Sequence, residues 1–252
     1  MNNFKYKKQQ RPRKKFLISG KADILNALNK GTELERIYIL NQGNFDSIKE
    51  VAALKDVPVH KVPAEKLKSF NVDFQEGCIA LKSKIHYQDL QNVISWVVEK
   101  GEVPLILILD GITDIRNIGG IARTAYCCGV HALVIPHKGV GILNDDAIHA
   151  SAGALELLTV CRVKQLEDAI ELCKLNGIQI LASEMTGKNS LFDLDLKSPA
   201  AIIMGSEDEG IRQDLYKNAD NIFYIPMKNN FESLNVSAAT AMILYEVMKQ
   251  RF

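Results

Sequence analysis

The 252-residue chain has no G-x-G-x-x-G run, no G-x-x-x-x-G-K-[ST] run, no H-E-x-x-H and no G-x-S-x-G. These absences remove the dinucleotide fingerprint, the phosphate loop, the helical zinc site of metalloproteases and the nucleophile elbow of serine hydrolases. They also remove the glycine-rich loop of Rossmann-type methyl transfer. His60, His86, His131, His137 and His149 show no metal-ligand spacing, so no metal site is expected. The cysteines (Cys78, Cys127, Cys128, Cys161, Cys173) are odd in number and never spaced C-x-x-C. That pattern predicts reduced thiols in the cytoplasm, buried as small hydrophobes. No apolar run approaches the roughly 20 residues of a membrane span. The basic N-terminus is followed by no apolar segment, so it does not read as a secretory signal.

What charge there is lies unevenly. The net charge is +1, yet Lys5, Lys7, Lys8, Arg11, Arg13, Lys14 and Lys15 fall within the first fifteen residues, where no acid occurs. The remaining residues are therefore acidic overall. A short run of one sign predicts a disordered tail over 1–15, either solubilising or an arm on nucleic-acid phosphate. An acidic body requires any RNA contact there to be local.

Beyond the tail, residues 16–83 read as a small α/β sandwich with helices at Lys21–Asn29, Phe45–Lys55 and Pro63–Phe70. Pro63 is placed at the first helical position. Strands are expected at Arg36–Leu40, Val57–Val62 and Gly77–Leu81. This part holds no cluster of catalytic residue types, so its expected role is recognition or structure. Residues 84–103 form a connection, in which Leu90, Val93, Ile94 and Val97 give the spacing of an amphipathic helix. From residue 104 to 252 the strands are continuous apolar runs: 105–109, 132–135, 178–182, 201–204 and 223–225. Helices are expected between them at Asn117–Cys128, Asp145–Ala152, Gln165–Leu175 and Arg212–Asn218. Unalternating strands spaced by helices predict a parallel sheet covered on both faces.

Three polar loops follow strand ends in this second part. Ligands of parallel α/β sheets bind beyond the carboxyl ends of the strands. In Asp110–Ala125, Asn117 stands at a natural N-cap, and Gly119 and Gly120 permit close approach. Arg123 lies on the apolar helix behind them and needs an anionic partner, either a structural carboxylate or a ligand. In Met204–Ile211, Glu207, Asp208 and Glu209 crowd a helix start, where the helix dipole favours acids. In Phe223–Thr240, Ser233 and Asn235 open the helix Val236–Met248. That helix is apolar on nearly every side, which predicts burial all round. Each loop alone has a structural explanation; together, on one sheet rim, they predict a ligand site.

The sequences Asn117–Ala125 (N-x-G-G-x-x-R-T-A), Ile203–Ile211 (I-M-G-S-E-x-E-G-I) and Ile225–Ala238 (I-P-M-x6-S-L-N-V-S-x-A) resemble the three motifs of SpoU/TrmH-type RNA ribose 2′-O-methyltransferases. Their order and spacing match, and the resemblance runs from about residue 16. The first part resembles the ribosomal-protein-like substrate-binding domain of the bacterial 23S rRNA guanosine methyltransferases, with Gly77–Ala80 resembling its closing segment. The resemblance implies an α/β knot fold with a C-terminal trefoil knot, a homodimer, and S-adenosylmethionine held in the knot. It places Gly205, Ile225 and Leu234 at the cofactor, with Met204 and Met227 beside them. Asn117, Arg123, Glu209, Ser233 and Asn235 form the implied catalytic and RNA-facing set. The implied reaction is methylation of a ribose in 23S rRNA. Transfer RNA is the alternative target, and a non-catalytic RNA-binding or ribosome-assembly protein the alternative class. Two departures concern the RNA side: the extra acid Asp208 in the second motif, and the loop Lys228–Glu232, which bears on target choice.

Overall fold

The computed structural model describes residues 16–70, 72, 76–229 and 233–252. The basic tail 1–15 and part of the loop Lys228–Glu232 lie outside them. The chain divides into two compact units between Ser83 and Lys84.

The first unit contains β1 (Leu17–Ser19), α1 (Lys21–Asn29), β2 (Leu34–Leu40), α2 (Asp46–Leu54), β3 (Val59–Val62), α3 (Ala64–Lys68) and β4 (Cys78–Lys82). Its four strands lie in the order β1-β4-β2-β3, with β2 and β3 parallel and the other pairs antiparallel. Alternation along the strands splits the core between two faces. Ile37, Ile39, Cys78 and Ala80 pack with Ile24 and Leu28 of α1 and Ile48 and Ala52 of α2. Tyr38 and Ile79, on the opposite face, pack with Leu67 of α3. Pro63 sits at the N-cap of α3 rather than in its first turn.

The second unit follows as β5 (Tyr87–Gln88), α4 (Leu90–Glu99), β6 (Leu105–Leu109), α5 (Ile115–Cys127), β7 (Ala132–Pro136) and α6 (Asp145–Ala150). It continues as β8 (Val160–Val163), α7 (Leu166–Leu175), β9 (Gln179–Ser183), β10 (Asn189–Ser190), β11 (Ala200–Met204), α8 (Gln213–Lys217), β12 (Asn221–Tyr224) and α9 (Val236–Arg251). Residues 84–103, read from sequence as a connection, contribute β5 and α4 to this unit. The eight strands are all parallel, in the order β10-β12-β9-β11-β6-β7-β8-β5.

Helices on both faces explain why these strands are apolar without alternation. In β6, Leu105, Leu107 and Leu109 face the layer of α5, α6 and α9, while Ile106 and Ile108 face α4, α7 and α8. The order also fixes a crevice. The chain leaves β6 for α5 on one face and leaves neighbouring β11 for α8 on the other. Where adjacent parallel strands send their connections to opposite faces, their carboxyl ends open a cleft.

Helix α9 is not buried all round. Val236, Ala239, Ile243, Leu244 and Val247 are buried, but Ala238 is exposed, Met242 is 46 % exposed and Tyr245 69 %. Spacing of four and three residues puts these last three on one outward stripe.

Candidate active site

Three loops meet at the cleft. The first begins at Asp110, which is 4 % exposed at the end of β6. Its carboxylate accepts from the Arg212 backbone N–H (2.8 Å) and from Arg212 Nε (3.1 Å), tying the β6 loop to the entry of α8. Burial works to lower the Arg212 pKa, but Asp110, with Glu167 and Asp214 behind it, more than offsets this and raises it.

Helix α5 starts two residues before Asn117, so the expected cap there is corrected. The cap is Asp114, whose Oδ1 accepts from the Arg116 N–H at 2.8 Å. Asn117 is thereby released to reach across the cleft, donating from Nδ2 to Glu207 Oε1 at 3.2 Å. Gly119 is required by packing. A Cβ there would lie 2.5 Å from Ala150 Cβ and 2.7 Å from the Ala150 carbonyl carbon.

The second loop is not the expected helix start. Ser206 and Gly210 exchange backbone hydrogen bonds at 3.1 Å in both directions, so Glu207, Asp208 and Glu209 stand on a tight turn. The helix behind, α8, begins only at Gln213. Gly205 closes the base of this turn, since a Cβ on it would fall 2.3–2.5 Å from the backbone of Gly210 and Ile211. No side chain fits there without moving the turn.

The third loop delivers Asn235 as the N-cap of α9. Its Oδ1 accepts from the N–H groups of Ser237 (3.0 Å) and Ala238 (3.3 Å) and from Ser237 Oγ (2.5 Å). Its Nδ2 donates to Asn117 Oδ1 (3.0 Å) and Glu207 Oε1 (2.5 Å). Glu207 Oε1 also accepts from the Val236 N–H at 3.3 Å. One carboxylate oxygen thus joins the first, second and third loops.

Among the residues predicted for catalysis, the structure brings Asn117 and Asn235 together. Arg123 is on the same helix as Asn117, six residues on. Helical geometry puts it about 9 Å along the axis and about 120° around from Asn117. It is exposed and has no hydrogen-bond or ion-pair partner among the described residues. The salt bridge that the sequence left open for it is therefore not made within the described chain. Glu209 does not join the network. It is exposed, and its contact is a backbone N–H donated to Ser206 Oγ at 3.1 Å. The acid that joins is Glu207, which sequence reasoning set beside its neighbours without singling it out. Ser233 is exposed and makes no hydrogen bond among the described residues.

The cofactor-binding candidates gather nearby. Met204 and Ile225 are buried in the core layer beneath the cleft, with Leu234 half-buried against it. Met227 is half-buried, and Gly205 forms the turn base already described. Apolar side chains beside a side-chain-free strand end suit a flat heterocycle and the backbone recognition of its polar edge. The residues present therefore fit a nucleoside-type methyl donor. Among the described residues no three His, Cys, Asp or Glu side chains form a metal-holding group.

Comparison with known proteins decides the family. The model of the SpoU rRNA Methylase family matches residues 104–245. The chain belongs to this family. It is an RNA methyltransferase of the SpoU/TrmH type, with S-adenosylmethionine as methyl donor. It is 33 % identical over 224 residues to the 23S rRNA (guanosine-2′-O-)-methyltransferase RlmB of Neisseria meningitidis, covering 85 % of this chain and 87 % of that protein. It is 32 % identical over 231 residues to an uncharacterized tRNA/rRNA methyltransferase of Archaeoglobus fulgidus, covering 91 % and 96 %. Among solved structures, the SpoU methyltransferase AviRb of Streptomyces viridochromogenes, in complex with AdoMet, superposes with a TM-score of 0.60. That match has 23 % identity and covers 94 % of this chain and 90 % of that one, a likeness of fold.

Proposed function

We propose that this SpoU-family methyltransferase modifies the 2′-hydroxyl of a ribose in RNA, with a guanosine of 23S rRNA as the leading target. The observation that carries the reading is the single Glu207 oxygen holding Asn117 and Asn235 across the cleft between β6 and β11. S-adenosylmethionine, when bound, supplies an electrophilic methyl group. Met204, Gly205, Ile225, Met227 and Leu234 are the residues to hold it. A ribose hydroxyl is a poor nucleophile, so it must be aligned and relieved of its proton.

Asn235 has both amide hydrogens and its oxygen engaged within the chain, so its role is to fix the mouth of α9. Asn117 keeps one amide hydrogen to offer the ribose. A guanidinium stays protonated in proteins and is a poor base. Arg123 therefore grips the phosphate next to the target and polarises the hydroxyl, and the proton leaves through phosphate or water. Ser233 contacts the RNA from the loop before α9. Glu209, on the turn tip and outside the network, is assigned an RNA-facing rather than a catalytic role.

The first unit serves as the RNA substrate-binding domain, followed by a methyltransferase domain over 104–252. Strand β11 enters between β9 and β6, both laid down earlier, and α9 then returns to α5. This order supports a C-terminal trefoil knot. The outward stripe Ala238, Met242 and Tyr245, with Tyr126 of α5 46 % exposed beside Arg123, supports a homodimer that covers both helices. No helix among the described residues is long and apolar enough to cross a membrane, and the cytoplasm is the proposed location.

Transfer RNA is the second reading, favoured by relatives named for tRNA and rRNA together. Separate incubations of the protein and labelled S-adenosylmethionine with purified 23S rRNA and with bulk tRNA decide between them. Label in the 23S rRNA is the expected result; label confined to tRNA overturns the leading target.

A further inference from the structure

Strand β9 lies between β12 and β11, whose loops carry Ile225 and Gly205, yet its own carboxyl end holds a carboxylate with no role so far. Glu184 follows β9 directly, and its backbone is fixed on both sides. Its N–H donates to the Phe223 carbonyl at 2.9 Å, and its carbonyl accepts from the Gly187 N–H at 2.9 Å. The turn it opens is pressed onto β12, since a Cβ on Gly187 would lie 2.5 Å from the Phe223 carbonyl carbon.

The side chain is fixed as well. Oε1 accepts from the Met185 N–H at 3.0 Å. Oε2 faces the base of the acidic turn, 3.0 Å from the position a Cβ on Gly210 would take. No protein donor reaches Oε2 among the described residues. On a half-buried residue held by two backbone hydrogen bonds and a third to its other oxygen, a carboxylate oxygen left without a donor is a prepared acceptor.

The Gly205–Gly210 turn divides the rim. Its tip carries Glu207 to Asn117 and Asn235 at β6, where the methyl must be presented. Its base abuts Glu184 on the side of β9 and β12, toward the apolar residues suited to the adenine. Resting on the reading that the methyl donor binds in this cleft, we propose that Glu184 binds the cofactor by accepting hydrogen bonds from the ribose hydroxyls of its adenosine moiety. A carboxylate offers acceptors only, so it suits a diol and rejects a sugar lacking it.

Isothermal titration of the full chain with S-adenosylhomocysteine and with its 2′-deoxy and 3′-deoxy analogues tests this. The wild type is expected to bind at least one deoxy analogue roughly 10- to 100-fold more weakly, the range of a charge-assisted hydrogen bond. Glu184→Ala should lose a similar factor toward S-adenosylhomocysteine and then cease to discriminate against that analogue. Glu184→Gln, which keeps the shape and one acceptor, should fall between the two and stands in should the alanine variant fail to fold. Unchanged affinity in both variants overturns the proposal. So does an equal loss for S-adenosylhomocysteine and both analogues, which marks a purely structural role. A wild type that binds none of the three overturns the cofactor reading itself, and this assignment with it.

Discussion

Glu207 is the residue on which the site's geometry turns. Its Oε1 accepts from two side-chain amides and one backbone N–H, so removing its charge weakens three hydrogen bonds together. Glu207→Gln should slow single-turnover methyl transfer about 10- to 100-fold. Glu209→Gln should stay within about twofold, because Glu209 lies outside the network. Composition and spacing showed three adjacent acids after an apolar strand without ranking them, and the family resemblance singled out Glu209, whereas Glu207 is the acid that joins the network. The ranking comes from the Ser206–Gly210 pairing, which makes a turn where a helix start was expected, and turn position rather than dipole then decides which acid reaches the cleft. The cysteines were legible in part: Cys78, Cys161 and Cys173 are buried as expected, but Cys127 is exposed and Cys128 half-buried. Burial pushes the Cys161 and Cys173 thiols up to about 12 and that of Cys78 up to about 11. A raised pKa keeps the thiol protonated below it, so at pH 8 these three should resist a disulfide reagent in the native state. Exposed Cys127 should react first, as read by mass spectrometry after partial labelling.

Helix α9 joins the site to the far end of the sheet. Its first turn is capped by Asn235, and its last turn is clamped by Arg251. That guanidinium donates to the carbonyls of Val103 (2.8 Å), Pro104 (3.3 Å), Leu196 (2.8 Å) and Ser198 (2.9 Å), around the amino ends of β6 and β11. Arg251→Ala leaves four carbonyls without this donor and should cost about 2 kcal/mol. In a chain of this size that lowers the thermal midpoint on the order of 4–8 °C, measurable by calorimetry. Lysine, lacking the planar fork, should restore only part of it. The long, doubly covered strands β6, β7, β9 and β11 were readable as apolar runs, because both faces of each are buried. Strands β1, β5 and β10 escaped notice at two or three residues each, too short for any period to show. β8 was missed because Arg162 interrupts its apolar character, and this arginine instead stacks on the Tyr87 ring at 3.9 Å. For α9, an apolar surface on every side was read as burial, whereas one stripe faces outward.

At the scale of the molecule, that outward stripe is the test of self-association. Tyr245→Asp or Met242→Asp adds a charge to an exposed apolar face, so neither should unfold the monomer. Each should shift a dimer toward monomer in sedimentation equilibrium; a wild type that sediments as a monomer contradicts the proposed homodimer. That the sheet is parallel was readable from sequence, but the order of its strands was not, and the order creates the cleft, because β6 and β11 become neighbours only when β11 enters beside a strand laid down long before. In the proposed function, this cleft delivers a methyl group to a ribose hydroxyl with Arg123 gripping the RNA. The direct measurement is methyl transfer from labelled S-adenosylmethionine to RNA, followed by alkaline hydrolysis, for the wild type and Arg123→Ala, with cofactor affinity recorded for both. Label is expected in alkali-resistant dinucleotides with the wild type. With the variant the transfer rate is expected to fall at least about 100-fold at unchanged cofactor affinity. Label released as single nucleotides, marking a methylated base, or full transfer by the variant, would contradict the proposed function.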